Sequence, residues 1–344
     1  MPTSGGSGEV PLARLLRRWD LDEPRTCEPL AAGPTARSWR LATDSAAFLL
    51  KEFSGGDRRR ILFRHRVTNA LADAGLPVPT PIPARDGRSL VTAQGRRYTL
   101  YPWVAGHRRG GLDLSLTQCH ELGELLGRVH AALDALTPPV QQTLLIPTRR
   151  AAGAISDIDA LLADLPADGD DFDALAARRL RERRALLTDY ADHQPPEMDT
   201  AMVGYVHGDF HAGNLVYGRI RRVTAIVGWG RLAIAPYGGD LVRAAVLLFG
   251  QHDERGLDLE RVEAFVSGHA AAFPLDSAQI QSAVHRLWWE RLCDVAALRR
   301  RYLGHDQGVP AAPALITWWT EHLDRTLDVF AAPYTETVAS HSPP

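Results

Sequence analysis

Eight consecutive positions, His207-Gly208-Asp209-Phe210-His211-Ala212-Gly213-Asn214, bring together a carboxylate, a carboxamide and two imidazoles. The spacing of Asp209 and Asn214 suits phosphoryl transfer. In that chemistry an Asp takes the proton of an attacking hydroxyl, and an Asn a few residues on offers its amide oxygen to Mg2+. Gly208 and Gly213 allow the tight turn that a projecting loop needs. A second candidate is Lys51, because all but one of the 39 Lys and Arg residues are Arg. A compact ammonium retained against that bias suits a tight phosphate site, which a planar guanidinium fills poorly.

The elements that must position these groups show in the hydrophobic pattern. From Ser38 to Phe53 two alternating runs meet at Asp44-Ser45, which predicts a strand pair with Lys51 late in the second strand. Residues 58–74 carry Ile61, Leu62, Val67, Ala70, Leu71 and Ala74 at helical spacing, and Gly75 stops the helix before Pro77 and Pro79. Further strands are predicted at 89–93 and 97–101. Beyond 103 the chain reads as helical, over 116–133, 172–193, 240–249, 259–273, 278–300 and 314–330. A short hairpin, 214–217 with 223–227, follows the loop at 207–214 and sets Gly228 beside it.

The loop resembles the H-G-D-x-H-x-x-N pattern of the aminoglycoside phosphotransferase and choline kinase family, small-molecule relatives of the protein kinases, and matches it at every letter. The resemblance runs over residues 25 to 335 in order of elements and implies an α+β fold of two lobes. The small antiparallel-sheet lobe is expected at 12–103 and the larger, mainly helical lobe at 104–335, with loose ends at 1–11 and 336–344. Asp209 is then the catalytic base, and Lys51 holds the nucleotide phosphates. Tyr101 and Trp103 lie in the hinge, Tyr101-Pro102-Trp103-Val104-Ala105-Gly106, that meets adenine. Asn214 is a metal ligand, while His207, His211 and Asp240 support the loop. ATP and Mg2+ are the implied cofactors.

Three positions depart from the pattern. The family follows its hairpin with I-D-W, whose Asp holds a second metal site, and here the residues are Val227-Gly228-Trp229. Glycine brings no oxygen to a hard cation. The helix Glu that pins the strand Lys is replaced by Arg64. The nearest glycine-rich phosphate loop, Gly33-Pro34-Thr35-Ala36-Arg37, has a single glycine. Restoring Asp at 228 is therefore expected to raise turnover, if the metal alone is limiting.

Composition narrows the rest. A chain of 344 residues with 45% hydrophobic content supports a sizeable core. A formal charge of -2 gives no basis for nucleic acid or an anionic membrane as partner. Strongly apolar runs, such as Ala244 to Phe249, are too short to span a bilayer, and residues 1–20 hold no signal-like run. Cys27, Cys119 and Cys293 are scattered, as in a reducing compartment, so a cytoplasmic location is expected. Arg58, Arg59, Arg60, Arg64 and Arg66 make one helix basic, which reads as a solvated face. Trp288-Trp289 and Trp318-Trp319 sit on late helices; helical geometry allows one member of each pair to face a cleft, and core packing alone is the simpler reading.

Two functions follow as expectations. The first is transfer of the ATP γ-phosphoryl group to a hydroxyl of a small molecule or peptide, in antibiotic biosynthesis or resistance. The second is a pseudokinase, a binding or scaffolding subunit for a partner enzyme or peptide.

Overall fold

The computed structural model describes residues 12–30, 36–53, 57–136, 140–166, 169–251, 255–302 and 314–335. The chain forms two compact units, Met1–Arg109 with Gly213–Leu232, and Gly110–Ala212 with Ala233–Pro344. This division differs from a single boundary at 103/104. The hairpin after the 207–214 loop belongs with the first unit, because Tyr217 exchanges backbone hydrogen bonds with His107 and the Ile226 N–H donates to Pro77. Residues 1–11, 336–344 and Gly33, Pro34 and Thr35 lie outside the described residues.

In the first unit, helix α1 (Leu12–Leu16) precedes strands β1 (Thr26–Pro29), β2 (Ala36–Ala42) and β3 (Ala47–Phe53), then helix α2 (Arg58–Asp73) and strands β4 (Val91–Ala93) and β5 (Arg96–Pro102). The sheet is antiparallel, in the order β1-β2-β3-β5-β4. Strand alternation sorts the side chains of β3. Leu50 joins Leu41 and Leu100 in a buried core with Leu15, Leu16 and Trp19, whereas Leu49, Lys51 and Phe53 share the other face. Helix α2 starts at Asp57, whose carboxylate accepts the Arg59 N–H. It ends where Gly75 turns left-handed at φ 80° and the Leu76 N–H closes on Leu71 O. The sequence pattern did not reveal α1, which is a single short turn, or β1, which is exposed throughout and shows no alternation.

In the second unit, α3 (Leu116–Leu136), β6 (Val140–Leu145), α4 (Ala151–Ala163), α5 (Asp171–Asp189) and β7 (Met198–Val206) come before the 207–214 loop. A strand at Ala233–Pro236 completes a three-stranded antiparallel sheet with β7 in the middle. Helices α6 (Tyr237–Phe249), α7 (Leu259–Ala272), α8 (Ser277–Cys293), α9 (Ala296–Tyr302), α10 (Leu315–Glu321) and α11 (Leu323–Thr335) follow. The helix expected over 278–300 breaks at Asp294, which leaves helical geometry and caps the Ala296 N–H with its carboxylate. The helix expected over 314–330 breaks at His322, whose imidazole bonds the Trp318 carbonyl. Side chains that bond the backbone interrupt a hydrophobic period without changing it. Among the described residues no helix is long and apolar enough to cross a membrane.

Helices α3 and α7 meet through glycine. A β-carbon on Gly123 would run into the Phe265 carbonyl, and one on Gly268 into the His120 carbonyl. Trp288 and Trp289 are both fully buried, at 0% and 1% exposure, in line with core packing as the simpler reading. Each indole N–H is satisfied there, Trp288 by Thr320 and Trp289 by the Arg149 carbonyl. Trp319 is buried, and half-buried Trp318 stacks on His322.

Candidate active site

Strand β7 delivers the chain into the 207–214 loop, and the backbone at its start is held on both sides. His207 is fully buried and its Nδ1 accepts the Asp209 N–H at 3.1 Å. Gly208, left-handed at φ 74°, donates its N–H to Asp240 Oδ1 at 2.9 Å. Phe210 is buried and meets the His207 ring edge to face. The Asp209 carboxylate itself is partly exposed, and His211 Nε2 lies 3.6 Å from it. The peptide is thus fixed while the carboxylate faces outward, the arrangement a base requires.

Asp240, in the first turn of α6, carries more than one backbone bond. Its second oxygen lies 3.1 Å from His130 Nε2, His130 Nδ1 lies 2.9 Å from His269 Nε2, and His269 Nδ1 lies 2.7 Å from the Tyr334 hydroxyl. One set of tautomers satisfies every bond: Tyr334 donates to His269, His269 to His130, and His130 to Asp240. Burial opposes the Asp240 charge, but His130, His207 and the Gly208 N–H outweigh it and hold the carboxyl below its ordinary range. Burial and the neighbouring His130 hold His269 well below the ordinary histidine value.

The first unit contains a cavity of about 410 Å3. Lys51 enters it from β3, Arg64, His65 and Thr68 from one face of α2, and Tyr101 and Trp103 from the end of β5. Apolar walls come from Leu49, Ile61 and Val227. The Trp103 N–H donates to Ala47 O, so that group is committed within the protein. Among the described residues, no group bonds the backbone of Val104, which leaves it for a ligand edge. The Lys51 ammonium lies over the Phe53 ring, 5.4 Å from its centre. Burial, then the charge of Arg64, lowers the pKa of Lys51 from its ordinary value. Among the described residues, no Asp or Glu lines the cavity. The adjacent acid, Glu52, points to the opposite face of the sheet, where Arg96 and Tyr98 bind it.

Arg64 corrects the reading of α2 as one solvated basic face. Arg58, Arg59, Arg60 and Arg66 are exposed, but Arg64 is half-buried and lines the cavity. His65 beside it is buried, bonded to Ser89 and Thr99 and pushed down to about 4 by burial and then by Arg64.

Asn214 and Gly228 stand together at the base of the hairpin, where the Val227 N–H donates to Asn214 O at 2.9 Å. Gly228 is left-handed at φ 86° and ψ 21°. A β-carbon built on it would fall within the Asn214 carboxamide. The residues do not fit the metal centre that the resemblance implies. Asn214 offers one neutral oxygen, Gly228 offers none, and no group of three His, Cys, Asp or Glu among the described residues is arranged to hold an ion.

Sequence reasoning missed the members of the buried chain beneath the loop, His130, His269 and Tyr334. They are separated by 139 and 65 residues along the chain, so no local spacing joins them. It also missed His65 and the inward turn of Arg64; the helical period of Ile61, Arg64, His65 and Thr68 carried that signal.

Residues 26–276 match the model of the family described as Phosphotransferase enzyme family. A homoserine kinase of Pseudomonas aeruginosa is 25% identical over 295 residues, covering 82% of this chain and 85% of that one. A homoserine kinase of Cupriavidus taiwanensis is 31% identical over 134 residues, 35% of this chain and 37% of its own. Two solved structures share the fold. One is a spectinomycin phosphotransferase with ADP and spectinomycin, with a TM-score of 0.55, 16% identity, and coverage of 96% of this chain and 94% of that one. The other is an amicoumacin kinase with AMP-PNP and Ca2+, with a TM-score of 0.57, 16% identity, and coverage of 88% and 94%. With a kinase-like arrangement of an antiparallel sheet followed by a helical region, and a family match that spans most of its length, the chain belongs to the phosphotransferase enzyme family.

Proposed function

We propose that this protein transfers the γ-phosphoryl group of ATP to a hydroxyl of a small molecule or peptide, with Asp209 as base. The observation that carries this reading is the held loop: the Asp209 N–H on His207 and the Gly208 N–H on Asp240 fix a carboxylate that remains accessible. In the step, the Asp209 carboxylate accepts the hydroxyl proton as the acceptor oxygen attacks the γ-phosphorus. The bond from that phosphorus to the bridging oxygen breaks and ADP leaves with the electron pair. Lys51 meets the phosphates, Tyr101 and Trp103 flank the base, and His211 stands beside the Asp209 carboxylate. Because the side chains do not fit a metal centre, no step is assigned to Mg2+.

Homoserine is the first acceptor to try, followed by other small amino alcohols, hydroxylated antibiotics and Ser- or Thr-containing peptides. ADP release is measured with each, for the native protein and for Asp209→Asn. General-base catalysis contributes about a hundred- to ten-thousand-fold, so Asp209→Asn is expected to lose turnover by that factor while still binding nucleotide. Equal turnover in the variant would overturn the assignment of the base.

The pairing of Asn214 with Gly228 favours a second reading, a nucleotide-binding subunit that serves a partner enzyme or peptide. Nucleotide binding without ADP release from any acceptor, together with a partner enzyme whose activity survives Asp209→Ala, would select it. We place either protein in the cytoplasm, since Cys27, Cys119 and Cys293 are free thiols.

A further inference from the structure

Three features of the cavity in the first unit belong together. It is lined by three cations, Lys51 from β3, Arg64 from α2 and Arg108, of which the first two stand on elements that converge on it. Among the described residues its lining has no carboxylate, and the one acid on β3, Glu52, is buried on the far face with Arg96 and Tyr98. At its edge Asn214 and Gly228 leave a hard cation one neutral oxygen. Two like charges in a largely apolar enclosure oppose each other unless an anion sits between them. The mutual effect is visible, since the charge of Arg64 adds to burial in disfavouring the charged form of Lys51.

A magnesium–nucleotide complex brings its own cation to that place. Its metal cancels part of the phosphate charge that Lys51 and Arg64 would otherwise meet. A bare polyphosphate brings negative charge only, and a planar guanidinium grips two phosphate oxygens at once. We propose that this cavity binds a nucleoside polyphosphate free of divalent cation, with Arg64 neutralising the phosphate charge that a metal neutralises elsewhere. The proposal rests on the nucleotide reading of the cavity given above and adds to it the charge state of the ligand. Lys51, held over Phe53 instead of by an acid, completes the clamp.

The test is calorimetric titration of the full chain with ATP and ADP, in EDTA and in excess Mg2+, for the native protein, Arg64→Gln, Arg64→Lys and Arg64→Glu. Thermal melts show that each variant is folded. The native protein is expected to bind both nucleotides more tightly in EDTA. Loss of one charge-assisted contact lowers affinity about ten- to a hundredfold, the effect expected for Arg64→Gln in EDTA. Arg64→Lys should recover part of it, and Arg64→Glu should reverse the preference towards the magnesium complex. Tighter binding with Mg2+ by the native protein, or equal binding in EDTA by folded Arg64→Gln, overturns the proposal. Inorganic tripolyphosphate is titrated alongside. If it binds in an Arg64-dependent way while no nucleotide does, the clamp stands and the nucleotide reading fails. If neither binds, both fail.

Discussion

A β-carbon on Gly228 would lie inside the carboxamide of Asn214. The carboxamide is the movable end of a side chain and would have to shift for any residue other than glycine, while the backbone at 228 adds a left-handed φ of 86° that side chains seldom adopt. Restoring the missing acid by Gly228→Asp is expected to destabilise the protein by about 1–3 kcal/mol, the usual cost of such strain, and to leave turnover no higher. Melting temperature and ADP release check the two halves. A stable variant with raised turnover would show that Asn214 moves aside and that the metal was limiting. The sequence alone suggested that outcome; the geometry at 228 sets against it.

Gly123 on α3 poses a contest between local and tertiary terms. Alanine in a helix interior is favoured over glycine by about 1 kcal/mol. A β-carbon at 123, however, would strike the Phe265 carbonyl of α7, backbone that moves only if the helix moves. Overpacking costs about 1–3 kcal/mol or more, so the clash wins and Gly123→Ala is expected to be destabilising overall. Gly153 on α4 is the matched control, because nothing lies within 4 Å of its β-position. Gly153→Ala should be neutral or stabilising. Denaturant midpoints for the two variants that move in the same direction would refute the packing account.

What the sequence made legible follows the range of the interactions involved. The strand pair β2 and β3, helix α2 and the loop at 207–214 were readable because alternation, helical period and motif spacing are all local. Lys51 could be placed on its strand because it follows the apolar run Phe48-Leu49-Leu50. Strands β6 and β7 were missed, since their pairing partners lie far along the chain and neither run alternates apolar with polar residues. The network under the loop was illegible for a stronger reason: Asp240, His130, His269 and Tyr334 meet only through the packing of four different helices. Arg64 was seen as a missing Glu and not as a cavity residue, because a substitution shows what is absent and only the fold shows where the new side chain goes.

Two buried histidines set a pH dependence. His65 is pushed down to about 4 and His269 lies well below the ordinary value near 6.5. Between these limits the unfolded chain binds protons that the folded chain does not, so stability is full above about pH 6.5 and falls as the pH drops below it. From pH 7 to pH 5 His65 is expected to remove about 2 kcal/mol, and His269 acts in the same direction. Asp240, also depressed, loses its contribution only below the ordinary carboxylate range, outside this window. Melting curves at pH 7 and pH 5 for the native protein and His65→Gln check the sign and size. The variant should be less sensitive to pH than the native protein by about the His65 share; an unchanged difference would remove His65 from the account.

Asp240 accepts hydrogen bonds at both oxygens, from the Gly208 N–H and from His130. Asparagine keeps one acceptor and turns the other into a donor, so Asp240→Asn cannot satisfy both partners as they stand. If its oxygen stays with Gly208, its NH2 group faces His130 Nε2, which must then accept. His130 would carry its proton on Nδ1 and donate to His269 Nε2, and His269 would donate from Nδ1 to Tyr334. The Tyr334 hydroxyl would turn to Val266 O, 3.5 Å away, a weak bond. The whole chain of donors reverses. Nitrogen-15 chemical shifts of the His269 ring should therefore move from an Nε2–H to an Nδ1–H tautomer on Asp240→Asn, with a stability loss of about 1.5–3 kcal/mol for the charged bonds given up. A His269 ring that keeps its Nε2 proton in the variant would mean that the loop, not the buried chain, absorbs the change, and that Gly208 has lost its hold on residue 240.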